Sequence, residues 1–400
     1  MTIRPLITAA LAFGASEAAA KATRLLTVLA VARGLPAAEI GLAAAAMAGG
    51  DILKSLVETG AGQRVIAARD AELESTAKGA RRAMWIWCAG LWAVQTAIAA
   101  ILWAQGAELL ALCLALLAAE HLFVPGGIVQ AALAMREGRM KGVAAVAGAQ
   151  VCAANLAAAG LALIWPSALA LVLPRLLSAP VWLVAMRRLR PWRPGPGPAE
   201  PVVHFARYGA AVLGTEVVKA LRLQADKLVV GALMGAEALG LYFMAWSAGL
   251  GIASALTGSV SIAVFPHLAR GGARAVRESL TVAMLAVAPA VALQSLAAPH
   301  YVPLLLGAQH AALAPVVSIL CLSAIPLAIW QVAAARLRAD GRPGAELAGT
   351  AALAAGLTGA VALLAPLGLW AAAAGQLAAT TLICLAAAIP ALRAPERIPA

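Results

Sequence analysis

Residues 83–104 read AMWIWCAGLWAVQTAIAAILWA, an apolar stretch without one charged side chain. A helix needs about 20 such residues to cross the hydrocarbon core of a bilayer. The rest of the chain repeats the pattern. Of its 400 residues 63% are hydrophobic and 12% charged, and its mean hydropathy is +0.89. That leaves too little polar surface to cover a soluble globular enzyme, and it also excludes a disordered chain. Long Ala/Leu/Val runs are not the polar–apolar alternation of a membrane β-barrel. The fold class is therefore all-α and polytopic.

Cutting at charge clusters, Pro and Gly predicts twelve transmembrane helices. Their approximate limits are 8–32, 38–62, 83–104, 108–132, 142–164, 167–186, 206–234, 237–266, 277–298, 311–335, 345–365 and 368–390. The N-terminal run up to Ser16 could pass for a signal peptide, but Glu17, Lys21 and Arg24 follow at helical spacing, which favours a retained first span.

The net charge of +12 has a topological source. Arg64, Arg69, Lys78, Arg81 and Arg82 lie in one predicted loop, Arg136, Arg139 and Lys141 in the next on the same side, then Arg187, Arg188, Arg190 and Arg193. Arg270, Arg274, Arg277, Arg336, Arg338, Arg342, Arg393 and Arg397 continue the series, and the opposite loops hold Arg33 alone. Such asymmetry predicts cytoplasmic termini in a bacterial inner membrane, and it removes the case for nucleic-acid binding. Trp85 and Trp192 are expected at the inner interface, Trp103, Trp165 and Trp370 at the outer one. Cys88, Cys113, Cys152, Cys321 and Cys384 all sit in apolar stretches with no C-x-x-C pair, so neither a disulfide framework nor a metal site is indicated.

The chain also repeats itself. Ser16-Glu17…Lys21…Arg24-Leu25 matches Thr215-Glu216…Lys219…Arg222-Leu223, and Ala38-Glu39-Ile40-Gly41-Leu42 matches Ala236-Glu237-Ala238-Leu239-Gly240-Leu241, each with one gap. This predicts two six-helix lobes, residues 1–186 and 204–400, joined by a cytoplasmic Pro/Arg-rich linker at 187–203.

Charges inside predicted spans single out the candidate site. Span 1 carries Glu17, Lys21 and Arg24, span 2 carries Asp51, Lys54 and Glu58, and span 7 carries Glu216, Lys219, Arg222, Asp226 and Lys227. Each set falls largely on one helical face. Three such charges facing lipid would cost on the order of 9 kcal/mol, so they face protein or water. One reading is intrahelical pairing of Glu17 with Lys21, Asp51 with Lys54 and Glu216 with Lys219. The other is an anion site. Arg24 and Arg222 occupy equivalent places in the repeat, and a guanidinium from each half would clamp a phosphate bidentately. Arg175, after Pro174, either lines the same cavity or snorkels. Glu120-His121, before the Pro125-Gly126-Gly127 break, is either a proton or cation site or a satisfied polar pair. Pro289, Pro315 and Pro326 are expected to kink their helices.

These segments resemble a known family. ARGLPAAEIGL at 32–42 and GAGQRVIAAR at 60–69 look like the first two spans of bacterial O-antigen and exopolysaccharide flippases. RLQADKLVVGALMGAEALGLYFMAWSAG from Arg222 and VFPHLAR ending at Arg270 resemble their second-half signature, with Arg222, Asp226, Lys227, Gly231, Gly240, Tyr242 and Pro266 in the expected places. The family lies in the multidrug/oligosaccharidyl-lipid/polysaccharide exporter superfamily. The resemblance implies a V-shaped pair of bundles around a cationic cavity. It also implies a polyprenyl-diphosphate-linked saccharide as substrate, for lipopolysaccharide or exopolysaccharide synthesis. Lys21, Arg24, Lys54, Lys219 and Arg222 would then meet the anionic head group, and Asp51, Glu58 and Asp226 would be candidates for ion coupling. Partners would be the lipid bilayer and a glycan polymerase with glycosyltransferases. No cofactor is called for. The chain's few aromatics depart from what sugar stacking would want. Two relatives compete as readings, a multidrug/cation antiporter and a peptidoglycan lipid-precursor flippase. An enzyme is disfavoured, since Asp51, Asp70, Asp226 and Asp340 make no D-x-D motif and no phosphate loop is present.

Overall fold

The computed structural model describes residues 3–254, 273–340 and 342–393, with Thr257 and Leu268 between them. All regular structure among the described residues is helical. Alanine carries the highest helix propensity, and a backbone in lipid must satisfy its own polar groups, which a helix does within one segment. The first stretch gives α1 (Ile3–Gly34), α2 (Ala37–Ser55), α3 (Ala61–Ala67) and α4 (Leu73–Ala104). Then come α5 (Glu108–Ala118), α6 (Ile128–Arg136), α7 (Met140–Ile164), α8 (Leu169–Leu189) and α9 (Val202–Ala248). The last are α10 (Ala273–Leu306), α11 (Ala314–Leu322), α12 (Ala324–Ala339), α13 (Pro343–Leu364) and α14 (Leu369–Arg393).

Among the described residues nine helical stretches are long and apolar enough to cross a membrane. That set omits α1, with Lys21 and Arg24 along it, and α2, with Glu39, Asp51 and Lys54 in 19 residues. Several predicted spans are interrupted. Span 2 divides into α2 and α3 at Gly60, whose φ of 73° suits a residue without Cβ. Span 4 is broken by 3₁₀ turns at Ala119–Leu122 and Val124–Gly126, where Pro125-Gly126-Gly127 ends helical pairing. Spans 7 and 8 meet within α9 at Gly235, with φ 86° and ψ 176°. Residues 255–266 of span 8, Pro266 among them, and Arg270 beyond lie outside the described residues apart from Thr257. Of the expected proline kinks, Pro289 lies inside α10, whereas Pro315 sits in the first turn of α11, where its missing N–H is not needed. Pro326 follows a break at Ser323, between α11 and α12.

The chain forms two compact units, Met1–Ala220 and Leu221–Ala400. In the first, α1 packs on α7 with small residues and polar contacts. A Cβ on Gly34 would lie 2.3 Å from the Ala162 carbonyl oxygen, so only glycine permits this approach. Asn155 Nδ2 donates to the Ala20 carbonyl at 3.0 Å, and Thr27 Oγ1 donates to the Asn155 carbonyl at 2.8 Å. Such contacts hold helices together where both sides are apolar. In the second unit α12, α13 and α14 share a core of Trp330, Leu337, Leu353, Leu357 and Cys384.

The segment after α8 is extended but not loose. Lys78 Nζ, on α4, donates to the carbonyls of Gly195, Pro196 and Gly197 at 3.2, 2.9 and 3.0 Å. Glu74 accepts from the Gly195 N–H at 2.7 Å and from Trp192 Nε1 at 3.1 Å. Arg64 pairs with Glu200, and Phe205 joins the apolar core of Ala77, Ala80, Met84 and Val129. Trp85, Trp103, Trp165 and Trp370 are exposed, as interfacial residues would be. Trp192, expected beside them, is instead packed against this core.

Candidate functional site

Each unit holds a polar cluster inside its apolar helices. In the first, Asp51 and Lys54 stand one turn apart near the end of α2. They do not pair with each other, as the intrahelical reading had it. Arg175 on α8 reaches Asp51 through a terminal guanidinium nitrogen, and its Nε lies 2.9 Å from Glu120 Oε1. Lys54 Nζ donates to Glu120 Oε2 at 2.7 Å. The physical reason is reach. A residue pair at i, i+3 shares one helix face, and that face meets two other elements whose charges it complements. The guanidinium fork can hold two carboxylates at once, whereas Lys54 is a point charge serving one.

Glu120 is buried, its side chain 5% exposed, while Lys54 is open. The 3₁₀ turn places Glu120 here and turns His121 the other way, where its Nε2 meets Gln95 Oε1 at 2.9 Å. Gln95 Nε2 in turn donates to the Leu114 carbonyl at 2.9 Å. Arg175 therefore faces inward to carboxylates and does not snorkel. Arg24, on α1, is exposed and within electrostatic reach of both Asp51 and Arg175. Lys21 lies one turn earlier, half-buried. Among the described residues, Arg24, Lys54 and Arg175 bring three positive charges to this cluster, and Asp51 and Glu120 two negative ones.

Glu58, in the break between α2 and α3, is exposed and near the like charge of Glu216. Glu216 accepts from Lys219 Nζ at 2.8 Å, so this i, i+3 pair forms as the pairing alternative expects. The side chain of Glu17 lies outside the described residues.

The cluster of the second unit is built on α9 and α14. Asp226 and Lys227 are both buried, with Lys227 Nζ 3.4 Å from Asp226 Oδ1. Lys227 also donates to the Leu223 carbonyl at 2.5 Å and stands 4.1 Å from the centre of the Trp246 ring. The Tyr242 hydroxyl, fully buried, donates to Asp226 Oδ2 at 2.9 Å and touches the Gln376 amide. One hydroxyl proton serves Asp226 or Gln376 Oε1 at a time, and a Gln376 amide turned with its NH₂ to Tyr242 would let both contacts form together. Arg222 is half-buried and within electrostatic reach of Asp226 and Cys384. Gln376 and Glu120 are the partners that sequence spacing did not assign. Each is a polar residue in an apolar stretch, which is the signal that marks them.

A profile of the polysaccharide biosynthesis protein family matches residues 30–315. No curated protein sequence matches significantly. Among solved structures the chain is similar to the lipid II flippase MurJ in an inward closed conformation, at 11% identity and a TM-score of 0.77 over 93% of this chain and 86% of that one. It is similar to an inward-facing multidrug resistance MATE family transporter of the MOP superfamily, at 16% identity and a TM-score of 0.72 over 93% of both. A MOP superfamily transporter from Pyrococcus furiosus, described as having a binding pocket of reverse polarity, matches at 15% identity and a TM-score of 0.62 over 97% of this chain and 94% of that one. These likenesses identify the fold as that of MOP superfamily transporters.

Proposed function

The chain belongs to the polysaccharide biosynthesis protein family, and from that premise we propose that it is a flippase. Its substrate would be a polyprenyl-diphosphate-linked oligosaccharide, carried from the cytoplasmic to the periplasmic leaflet of a bacterial inner membrane. The observation that supports this reading is the positive excess among the described residues of the first unit's cluster, where Arg24 joins Arg175 and Lys54. A site of that sign inside apolar helices attracts an anion and repels an organic cation. It therefore favours the flippase over a cation antiporter.

In this reading Lys21, Arg24, Lys54, Lys219 and Arg222 neutralise the diphosphate while the prenyl chain stays in lipid. Two six-helix lobes, twelve spans in all, expose the head group alternately to either side. Asp51, Glu58 and Asp226 are candidates for ion coupling. Membrane potential can drive the step without ATP, because about two negative charges leaving a negative interior gain roughly 4.6 kcal/mol per 100 mV.

The test is a pair of substitutions. Arg24→Ala or Arg222→Ala should abolish export at normal membrane abundance, and Lys at either place should rescue only in part, lacking the two-pronged donor. Near-normal export by an abundant double-alanine protein would remove both residues from the substrate site.

A further inference from the structure

Three arginines of the first unit converge on one cavity that the transport reading does not use. Arg81 comes from α4, Arg187 from the last turn of α8, and Arg193 from the extended segment that follows. The cavity has a volume of about 400 Å³, within the usual range for small-molecule sites. Pro125, Gly126 and Trp192 complete its walls, and no carboxylate lines it.

An excess of arginine in these loops is expected of any polytopic protein, so the arrangement has to carry the argument. The carboxylates of these loops are engaged elsewhere. Asp70 pairs with Arg136, Glu72 with Arg69, Glu137 with Arg139 and Arg190, and Glu200 with Arg64. Glu74 is held by Trp192 and Gly195. Among the described residues no carboxylate pairs with Arg81, Arg187 or Arg193. Arg187 Nε donates to the Gly126 carbonyl at 3.1 Å, which fixes its fork beside the cavity. Gln130 gives an independent sign. It is 7% exposed and lines the cavity, a polar side chain set in the wall beside the arginines. The wall bearing Arg193 is itself tied to α4 through Lys78 and Glu74, so the backbone of that wall is held before a ligand arrives.

We infer that this cavity binds a phosphate group of at least two negative charges, held by the forks of Arg81, Arg187 and Arg193 with Gln130 donating through its amide. The chemistry is common to free phosphates and to lipid head groups. Three guanidinium groups with no carboxylate among them match a polyanion in charge, and their planar forks match its oxygens in geometry.

The experiment uses the full chain. Inorganic pyrophosphate is titrated against protein in detergent, with thermal unfolding as the readout. In parallel the protein is melted in nanodiscs of phosphatidic acid, whose phosphomonoester carries up to two charges, and of phosphatidylcholine. Stabilisation by pyrophosphate alone assigns a soluble phosphate. Stabilisation by phosphatidic acid that pyrophosphate reverses assigns a lipid head group. In either case Arg81→Gln with Arg193→Gln should weaken the response at least tenfold, and Arg188→Gln, at an arginine of the same α8 turn that does not line the cavity, should leave it intact, which separates this cavity from the general positive charge of the loops. Should the double Gln protein fail to fold, Arg81→Lys with Arg193→Lys keeps the charge and loses the forks, and it should weaken the response several-fold. A wild-type protein that responds to neither probe, or a folded variant that responds as the wild type does, overturns the assignment.

Discussion

Replacing Arg175 with alanine removes the hub of the first unit's cluster. Arg175 holds Asp51 and Glu120 together, and the two carboxylates differ in their exposure to water, 35% for Asp51 and 5% for Glu120. Breaking a buried ion pair by deleting one partner costs about 3–5 kcal/mol, because the other charge is left uncompensated. Two features reduce that here. Lys54 still donates to Glu120 at 2.7 Å, and Asp51 is open enough for water to screen it. The expected loss is therefore about 2–3 kcal/mol. In a unit of this size that corresponds to a fall of roughly 5–10 °C in melting temperature. Arg175→Ala with Glu120→Gln removes the stranded charge as well, and should recover about half of the loss. The assay is thermal unfolding of purified protein in detergent, with membrane abundance measured alongside. A single alanine variant that melts within a degree of wild type would refute the hub. A double variant less stable than the single one would refute the explanation by uncompensated charge.

Tyr242→Phe keeps the ring in its buried place and removes the proton given to Asp226. Among the described residues the carboxylate then keeps Lys227 at 3.4 Å, with Arg222 within electrostatic reach, and a loss of about 1–3 kcal/mol is expected in the same melting assay; unchanged stability would show that this hydroxyl does not hold Asp226 in place. For orientation, a periplasm-active reporter fused at Pro196 should be silent in a fusion that still exports, since the alternate loops carry nearly all the Lys and Arg. Strong activity there would reverse the topology.

Much of this was legible in the sequence because membrane helices announce themselves locally. A 22-residue apolar run needs no tertiary knowledge, and neither does a charge placed inside one. Arg24, Lys54, Arg175, Glu120 and Asp226 were all visible as costly residues requiring partners. Which partner each would take was not visible. Lys54 and Glu120 are 66 residues apart, Arg175 and Asp51 are 124 apart, and Tyr242 and Gln376 are 134 apart. Helical spacing offers only neighbours three or four residues away. It thus proposed Asp51 with Lys54, where tertiary packing supplied Arg175 and Glu120. It was right for Glu216 with Lys219. The helix breaks divide the same way. Pro125-Gly126-Gly127 is a break written in residue types, whereas the turn at Gly60 depends on a positive φ that the letters around it do not force. Trp192, expected at the inner interface by composition, also packs against the first unit's core and donates to Glu74, 118 positions away, a contact that no local spacing shows.

The central claim is that the protein moves an anionic, lipid-linked saccharide across a bilayer. Its most direct measurement is translocation by the purified protein in sealed vesicles. A polyprenyl-diphosphate oligosaccharide is confined to the leaflet corresponding to the cytoplasm, a potential negative on that side is imposed, and arrival at the far leaflet is scored by a lectin or glycosidase that cannot enter. The account predicts transfer above that of protein-free vesicles, faster as the potential grows, and lost in the Arg24→Ala protein. Transfer equal to that of empty vesicles, by protein that in the same preparation expels an organic cation, would contradict it.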